Sequence, residues 1–195
     1  MLFRSGVENL DAEAVTAMLT GTERLSRLVD QLLELSQFES GAIRIDPHDF
    51  KVTEAVEGAA AEVRPVRGDV RIVAEVGDGL TGIGDPERIH EVLTNLLCNA
   101  VRHSPPGGQV TVRGAPVPGG VRIEVSDEGA GVPPGHLDRI FDRFYRVDAA
   151  RGSRAGGAGL GLAIARSIVE LHGGSIRAEP VPQASGCRII LDLPG

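Results

Sequence analysis

Apolar residues near the start of the chain recur every three or four positions, which predicts one long helix over residues 10–40. Gly41 is expected to end it. Two interpretations stay open, because so wide an apolar stripe needs a partner: the helix belongs to a helical bundle, or it packs on the domain that follows. The stripe consists of Leu25, Leu28, Val29, Leu32, Leu33, Leu35 and Phe38.

Beyond residue 43 the pattern mixes alternating and helical segments. It predicts helices over 53–63 with Thr53 as the cap, from Pro86 to about His103 with Asp85 as the cap, near 137–141 and over 160–172. Strands are predicted at 70–76, 110–113, 121–126, 175–179 and 187–193. Residues 145–158 lack periodicity and are expected to form a mobile loop. Hairpins and helices without regular alternation favour an α+β fold, in which helices cover one face of a sheet.

The composition narrows the class of protein. With 195 residues, 42% of them hydrophobic and only 3% aromatic, the chain can build an aliphatic core. A formal net charge of −7 argues against non-specific binding to nucleic acid. No apolar run approaches the ~20 residues that cross a bilayer, so we expect no membrane contact by this chain. Two cysteines without metal spacing fit a reducing, cytoplasmic location.

Two asparagines form the first candidate motif. Asn95 and Asn99 lie four residues apart on the predicted helix and therefore share a face, which Arg102 and His103 continue. A carboxamide oxygen is a suitable ligand for Mg²⁺, and an arginine can contact phosphate. Surface or capping roles for the asparagines are an equal alternative on this evidence.

An acidic residue before two glycines forms the second motif. Asp127 follows an alternating strand, and Gly129 and Gly131 permit a tight turn with close approach of a ligand. A buried carboxylate accepts hydrogen bonds only, so it could accept from the exocyclic amine of adenine and reject guanine. An ordinary turn is the alternative, because Asp and Gly favour turns.

Glycines that lead into a helix form the third motif. Gly157, Gly159 and Gly161 precede the predicted helix, where free N–H groups and the helix dipole favour phosphate. A flexible linker is the alternative, although Leu160 and Leu162 between and after the glycines count against it.

Taken in this order, the three segments resemble the ATP-binding catalytic domain of bacterial sensor histidine kinases, within the superfamily of gyrase-, Hsp90- and MutL-type ATPases. Residues 95–100 resemble the N box, residues 127–131 and 157–162 the two glycine boxes, and residues 141–146 the phenylalanine box. The resemblance implies a Bergerat-type two-layer α/β sandwich, with a lid between the phenylalanine box and the second glycine box.

The same resemblance assigns roles to the site residues. It implies ATP and Mg²⁺ as the ligands, Asn99 as the metal ligand with Asn95 beside it, and Asp127 on the adenine amine. The remaining expected ATP contacts are Arg102, His103, Gly129, Gly131, Ile140, Arg143, Arg146, Gly157, Gly159, Leu160, Gly161 and Leu162.

The N-terminal helix resembles the second helix of the family's dimerisation and phosphotransfer hairpin. We therefore expect residues 1–42 to be part of that hairpin and residues 43–195 to be the catalytic domain. None of the five histidines is followed by the acidic residue and proline that mark the phosphoacceptor, so that segment is expected upstream of residue 1. The resemblance implies two partners, the protein's own hairpin in a homodimer and a response regulator. It also implies a longer parent protein that is anchored in the membrane.

The chemistry that the resemblance implies is transfer of the γ-phosphoryl group to a histidine, followed by relay to an aspartate. Related ATPases carry a glutamate one helical turn before the metal-binding asparagine. Here that position is Asn95, which cannot act as a general base, so hydrolysis should be slow. The alternatives are a serine kinase of the anti-sigma-factor type and a nucleotide-binding module without kinase activity.

Overall fold

The computed structural model describes residues 4–147, 158–181 and 185–195. Helices and strands are interspersed along the chain, and three short 3₁₀ turns lie at Arg64–Val66, Pro134–His136 and Arg139–Phe141. The longer elements are α1 (Arg4–Glu39), β1 (His48–Lys51), α2 (Val52–Val63), β2 (Arg71–Val76), β3 (Thr81–Gly84), α3 (Pro86–His103), β4 (Gln109–Val117), β5 (Gly120–Ser126), α4 (Gly161–Leu171), β6 (Ser175–Pro180) and β7 (Cys187–Pro194).

Five strands form one mixed sheet in the order β2-β4-β5-β7-β6. Strand β2 runs parallel to β4, and all other neighbours in this sheet are antiparallel. Strands β1 and β3 form a separate antiparallel pair. Helices α2, α3 and α4 pack with one face of the main sheet around a single aliphatic core. The expected α+β sandwich, with a long helix before it, is therefore confirmed.

The two faces of the sheet differ in chemistry. On β5 and β7, Ile123, Val125, Ile189 and Leu191 belong to the core beneath the helices. The alternating positions carry ion pairs between neighbouring strands. Arg122 Nε of β5 lies 2.6 Å from Asp192 Oδ1 of β7, and Arg113 Nε of β4 lies 2.7 Å from Glu75 Oε2 of β2. The helical layer therefore covers the apolar face, while charged side chains cover the other.

A buried histidine ties the end of α4 to the start of α3. Asp85 caps α3 by accepting hydrogen bonds from the N–H groups of Glu87 and Arg88. The N–H of Asp85 donates to His172 Nε2 at 2.9 Å, and His172 Nδ1 donates to the carbonyl of Ile168 at 2.7 Å. Burial favours the neutral carboxyl of Asp85, but bonds from backbone N–H groups outweigh it and lower its pKa. The cap thus fixes the helix that carries the asparagines.

Helix α1 divides into a packed end and an exposed remainder. Leu35 is 1% exposed within the core, and Leu28 and Phe38 pack against it. Arg88 of α3 pairs with Glu34 of this helix. The other members of the stripe are exposed, together with residues of the preceding turns: Val15, Met18, Leu19, Leu25, Val29, Leu32 and Leu33. The C-terminal part of α1 therefore packs on the residues that follow the helix. The boundary between the two predicted domains, at residues 42/43, stays a prediction.

Some local predictions need correction. Thr53 is not the cap of α2, because the helix begins at Val52, and Lys51 occupies the cap position without a side-chain hydrogen bond to the N–H groups of the helix. The N–H of Val52 instead donates to the carbonyl of Leu80. Strands β1 and β3 were not predicted, and the helix predicted near 137–141 is a 3₁₀ turn at Arg139–Phe141. Most of the loop predicted at 145–158 lies outside the described residues.

Candidate nucleotide-binding site

Helix α3 carries the two asparagines of the first motif, and the other two motifs contact this helix at different points. A Cβ atom placed on Gly161, at the start of α4, would lie 2.8 Å from Asn95 Oδ1. A Cβ placed on Gly129, after β5, would lie 2.5 Å from the carbonyl oxygen of His103. The two contact points are eight residues apart, which is about 12 Å along a helix. The structure therefore brings all three motifs together along one helix.

Asp127 lies at the end of β5, beside the start of β7, and is 7% exposed. Its Oδ1 accepts hydrogen bonds from the N–H of Gly129 at 2.8 Å and from the N–H of Cys187 at 3.3 Å. Neither bond uses Oδ2. Burial raises the pKa of Asp127, although both hydrogen bonds favour the charged form. The residue is thus a fixed carboxylate with one oxygen outside these two bonds, as recognition of an amine requires.

Cys187 was not predicted as a neighbour of Asp127. The two residues face each other across β5 and β7, and the N–H of Asp127 donates to the carbonyl of Cys187 at 3.0 Å. Burial, with a smaller contribution from Asp127, raises the pKa of the Cys187 thiol to about 12. The thiol therefore stays protonated beside the carboxylate.

The turn after Asp127 requires its glycines. Besides the carbonyl of His103, a Cβ on Gly129 would meet Asp127 Oδ1 at 2.8 Å. Gly131 has a φ of +78° and lies close to the carbonyl of Gly186. We call Asp127, Gly129, Gly131 and Cys187 the carboxylate side of the site, and it is built on the ends of two core strands.

The opposite part of the site is built mainly from main-chain groups. The N–H of Phe144 donates to the carbonyl of Gly159 at 2.9 Å, which ties the chain before residues 148–157 to the chain after them. Gly159 has a φ of +75°, and a Cβ there would lie 3.0 Å from the carbonyl oxygen of Tyr145. We call Asn95, Phe144, Gly159 and Gly161 the glycine side.

The glycine side leads directly into helix α4. Leu160 is 1% exposed and anchors the helix start in the core, and no side chain caps its N–H groups. Ile140 and Leu162 are partly buried and pack against the same core. An eleven-residue helix whose first N–H groups lie beside Asn95 provides the donors that a phosphate prefers.

The charged residues expected near phosphate occupy different surroundings. Arg102 and His103 are exposed at the end of α3, and Arg146 is exposed just after Tyr145. Arg143 forms an ion pair with Glu39 at the end of α1, with Nη2 and Oε1 2.6 Å apart. Gly157 lies outside the described residues. The structure therefore places Arg143 against α1, while the carbonyl of His103 lies beside Gly129 on the carboxylate side.

The carboxamides are the candidate metal ligands. Asn95 and Asn99 are half-buried on the same face of α3. Among the described residues no group of three or more His, Cys, Asp or Glu side chains could hold a metal ion. A carboxamide oxygen suits a cation that retains waters and takes few protein ligands, as Mg²⁺ does.

Two grooves border the packed end of α1, and neither contains Asp127. One, of about 380 Å³, lies between Glu39, Arg143 and the outer side of α4. The other, of about 340 Å³, reaches Asn95 from the side of Gln31 and His90.

A helix-covered mixed sheet, with an acid and two glycine turns meeting at one helix, defines a nucleotide-binding domain of the ATPase type. Comparison with known families gives the same result: residues 84–195 match the family of histidine kinase-, DNA gyrase B- and HSP90-like ATPases. The chain belongs to this family.

Relatives with this arrangement are sensor kinases. The chain is 33% identical to the signal transduction histidine-protein kinase BaeS of Escherichia coli (strain K12), over 98% of this chain and 41% of BaeS. It is 35% identical to the sensor histidine kinase WalK of Bacillus subtilis (strain 168), over 96% of this chain and 31% of WalK. The chain thus spans less than half of each relative. The resemblance to the ATP-binding domain of two-component sensor kinases is confirmed.

Solved structures agree. Full-length ShkA in complex with AMPPNP has a TM-score of 0.81 at 27% identity, over 94% of this chain and 38% of ShkA. The histidine kinase ThkA in complex with the response regulator TrrA has a TM-score of 0.71 at 25% identity, over 89% of this chain and 48% of that one.

None of the helices among the described residues combines the length and apolarity needed to cross a bilayer.

Proposed function

We propose that this chain binds Mg-ATP between α3, the carboxylate side and the glycine side, as the catalytic part of a sensor histidine kinase. The observation that carries the proposal is the convergence of a buried, hydrogen-bonded Asp127 and the glycine-lined start of α4 on one helix. The AMPPNP bound to ShkA and the names of the relatives support it.

In this proposal Asp127 selects the base. Its carboxylate accepts from the exocyclic amine of adenine and would repel the carbonyl that guanine has at that place. Gly129 keeps the turn narrow enough for the base to approach. Ile140 and Leu162 would contact the apolar face of the ring, because both lie partly buried at the edge of the core.

The glycine side would hold the phosphates. The first N–H groups of α4 donate to phosphate oxygens, and Asn99 would supply a carboxamide oxygen to Mg²⁺. The metal ion, when bound, neutralises charge on the transferred group. Arg102, His103, Arg143 and Arg146 are the proposed additional cationic contacts. Arg143 would have to leave Glu39 to make one, and this pair is largely exposed.

The reaction that fits these residues is phosphoryl transfer. A nitrogen of the acceptor imidazole attacks the γ-phosphorus in line, the bond to the bridging β–γ oxygen breaks, and ADP leaves. Asn95 has no basic group to activate water, so transfer is favoured over hydrolysis. We propose that the acceptor histidine belongs to the protein's own dimerisation hairpin, and that the phosphoryl group passes to an aspartate of a response regulator.

The remaining proposals concern the whole protein. The exposed apolar residues on α1 would be covered by the other hairpin helices in a homodimer. A response regulator is proposed as the partner because ThkA forms such a complex with TrrA. The free thiols of Cys98 and Cys187 fit a cytoplasmic location for these residues, with the whole protein anchored in the membrane.

Calorimetric titration of Mg-ATP into the chain tests the binding step. We expect one site per chain, with ATP preferred over GTP and binding strongly weakened in Asp127→Asn. Asp78→Asn, at an exposed turn before β3, is the matched control for the loss of one carboxylate. A folded wild-type chain that binds no ATP would reject the proposal.

A transfer assay tests the second step. The chain is mixed with a purified hairpin segment that contains the acceptor histidine, and labelled phosphate is followed. Label on histidine, lost in acid, supports the proposal. Acid-stable label on a serine would instead indicate the serine-kinase alternative, and binding without transfer would indicate a nucleotide-binding module.

A further inference from the structure

A cluster of three side chains, the half-buried His136 and Tyr145 and the exposed Arg139, lies before residues 148–157 and has no role in the site described so far. His136, in the 3₁₀ turn Pro134–His136, is hydrogen-bonded through Nδ1 to the hydroxyl of Tyr145. The two rings are 5.9 Å apart between centroids, with 33° between their planes. The guanidinium of Arg139 lies over the Tyr145 ring, 4.4 Å from its centroid. Tyr145 is thus held on two sides.

The backbone next to Tyr145 supports the glycine side. The N–H of Phe144 donates to the carbonyl of Gly159, and a Cβ on Gly159 would crowd the carbonyl oxygen of Tyr145 at 3.0 Å. Phe144 itself has a φ of +59°, a left-handed conformation that costs a non-glycine residue free energy and has to be maintained by its surroundings. Neighbouring contacts must therefore hold this part of the chain in place.

Two residues beyond Gly159, the chain meets the asparagine helix. Gly161 lies against the Asn95 side chain, because a Cβ on Gly161 would lie 2.8 Å from Asn95 Oδ1 and would displace it. A continuous set of contacts therefore runs from His136 to Tyr145, then through the backbone to Gly159, Gly161 and Asn95.

We propose that His136 is a positioning residue for the phosphate-binding part of the site. Its hydrogen bond to Tyr145, together with the stacked Arg139, fixes the backbone at Phe144 and Tyr145 and so sets the place of Gly159 and the first N–H groups of α4. This inference rests on the proposed ATP-binding function. It adds that His136 acts on the phosphates and leaves the base unaffected, because Asp127 is held by separate bonds from Gly129 and Cys187.

The experiment compares the affinities of the full chain for ATP and for adenosine. His136→Ala should weaken ATP binding about fivefold, the effect of losing one hydrogen bond, and change adenosine binding less than twofold. Tyr145→Phe keeps the ring on Arg139 but removes the hydroxyl, and should have the same effect. The double variant should be no weaker than either single one. His136→Asn retains a polar atom at the place of Nδ1 and should recover most of the affinity.

His48→Ala removes an exposed histidine on β1 and is the matched control. Three outcomes would each overturn the proposal. They are equal losses of affinity for ATP and adenosine, additive losses in the double variant, and no recovery of ATP affinity by His136→Asn. If His136→Ala does not fold, the losses of ATP and adenosine affinity in Tyr145→Phe decide: a loss confined to ATP supports the proposal, and equal losses overturn it. A wild-type chain that binds neither ATP nor adenosine would reject the proposed function itself. Normal wild-type binding with variants that lose both ligands equally would reject this inference alone.

Discussion

The carboxylate side of the site depends on a side chain buried at the ends of two core strands, whereas the glycine side depends on backbone groups held by long-range contacts. Asp127 is fixed by N–H groups within a turn and a strand that the core already orders. Gly159 and Gly161 have no side chains that could hold them in place. The N–H of Phe144 binds the carbonyl of Gly159, and the Asn95 side chain lies against Gly161. Recognition of the base is thus built into the sheet, while phosphate recognition depends on how separate segments are tied together.

The largest expected effect is on the carboxylate side. Asp127→Asn replaces an acceptor with an amide that can turn a donor toward the adenine amine, so affinities for ATP, ADP and adenosine should fall together, by about 100-fold. Calorimetry with the three ligands measures this. A loss confined to ATP would mean that Asp127 contacts the phosphates and that the two sides are wrongly assigned.

The next effect separates the glycine side from the base. Gly161→Ala places a methyl group 2.8 Å from the present position of Asn95 Oδ1, so the asparagine has to move while the helix itself accepts alanine well. We expect ATP affinity to fall about tenfold, with adenosine affinity and the melting temperature nearly unchanged. Gly21→Ala, where a Cβ meets nothing within 4 Å, is the control.

A smaller effect concerns stability and pH. Because burial raises the pKa of Asp127 in the folded chain, the folded state binds more protons than the unfolded state between the two pKa values. Ionised Asp127 therefore reduces stability at neutral pH, and this cost disappears as the pH falls. Asp127→Asn should melt about 2–4 °C higher than wild type at pH 7, which corresponds to roughly 1 kcal/mol in a domain of this size.

The pH dependence of that difference is the stringent test. Scanning calorimetry without nucleotide should show the two melting temperatures converge as the pH is lowered. A constant difference would mean that the gain does not come from ionisation of Asp127, and a less stable variant would mean that the carboxylate is needed for the fold.

The smallest expected effect is at the contact between α1 and the site. The side chains of Glu39 and Arg143 are 63% and 39% exposed, so this ion pair contributes at most about 1 kcal/mol. Glu39→Gln should change ATP affinity less than twofold and leave the melting temperature within one or two degrees. A clear gain in ATP affinity would show that Glu39 keeps Arg143 from the phosphates.

Helices and core strands were predictable because their apolar periodicity is strong. Helix α3 has both a periodic apolar face and a capping Asp85 before Pro86, and its predicted bounds agree with the structure. Strands β1 and β3 have four residues each, and β3 reads Thr-Gly-Ile-Gly, which carries no alternation of its own. Their pairing depends on partners about 35 residues away, and no local pattern reports it.

The site was predictable at the level of motifs, and the roles of its individual residues stay predictions. Asp127 and the glycines stand out because few residue types fit their backbone or burial. The bond between Asp85 and His172 joins residues 87 positions apart, and the pairing of Arg143 with Glu39 depends on how α1 packs. Such contacts follow from the tertiary arrangement, so neither sequence spacing nor residue type could reveal them.

The hydrogen bond between Phe144 and Gly159 has a consequence for how the chain can be altered. Because it joins two residues on either side of residues 148–157, it holds the two ends of that segment together at the start of α4. Doubling the length of a flexible connection adds only about 0.6 kcal/mol of closure entropy. Insertions between Arg146 and Gly157 that leave both residues in place should therefore have little effect on the melting temperature as long as the tie remains.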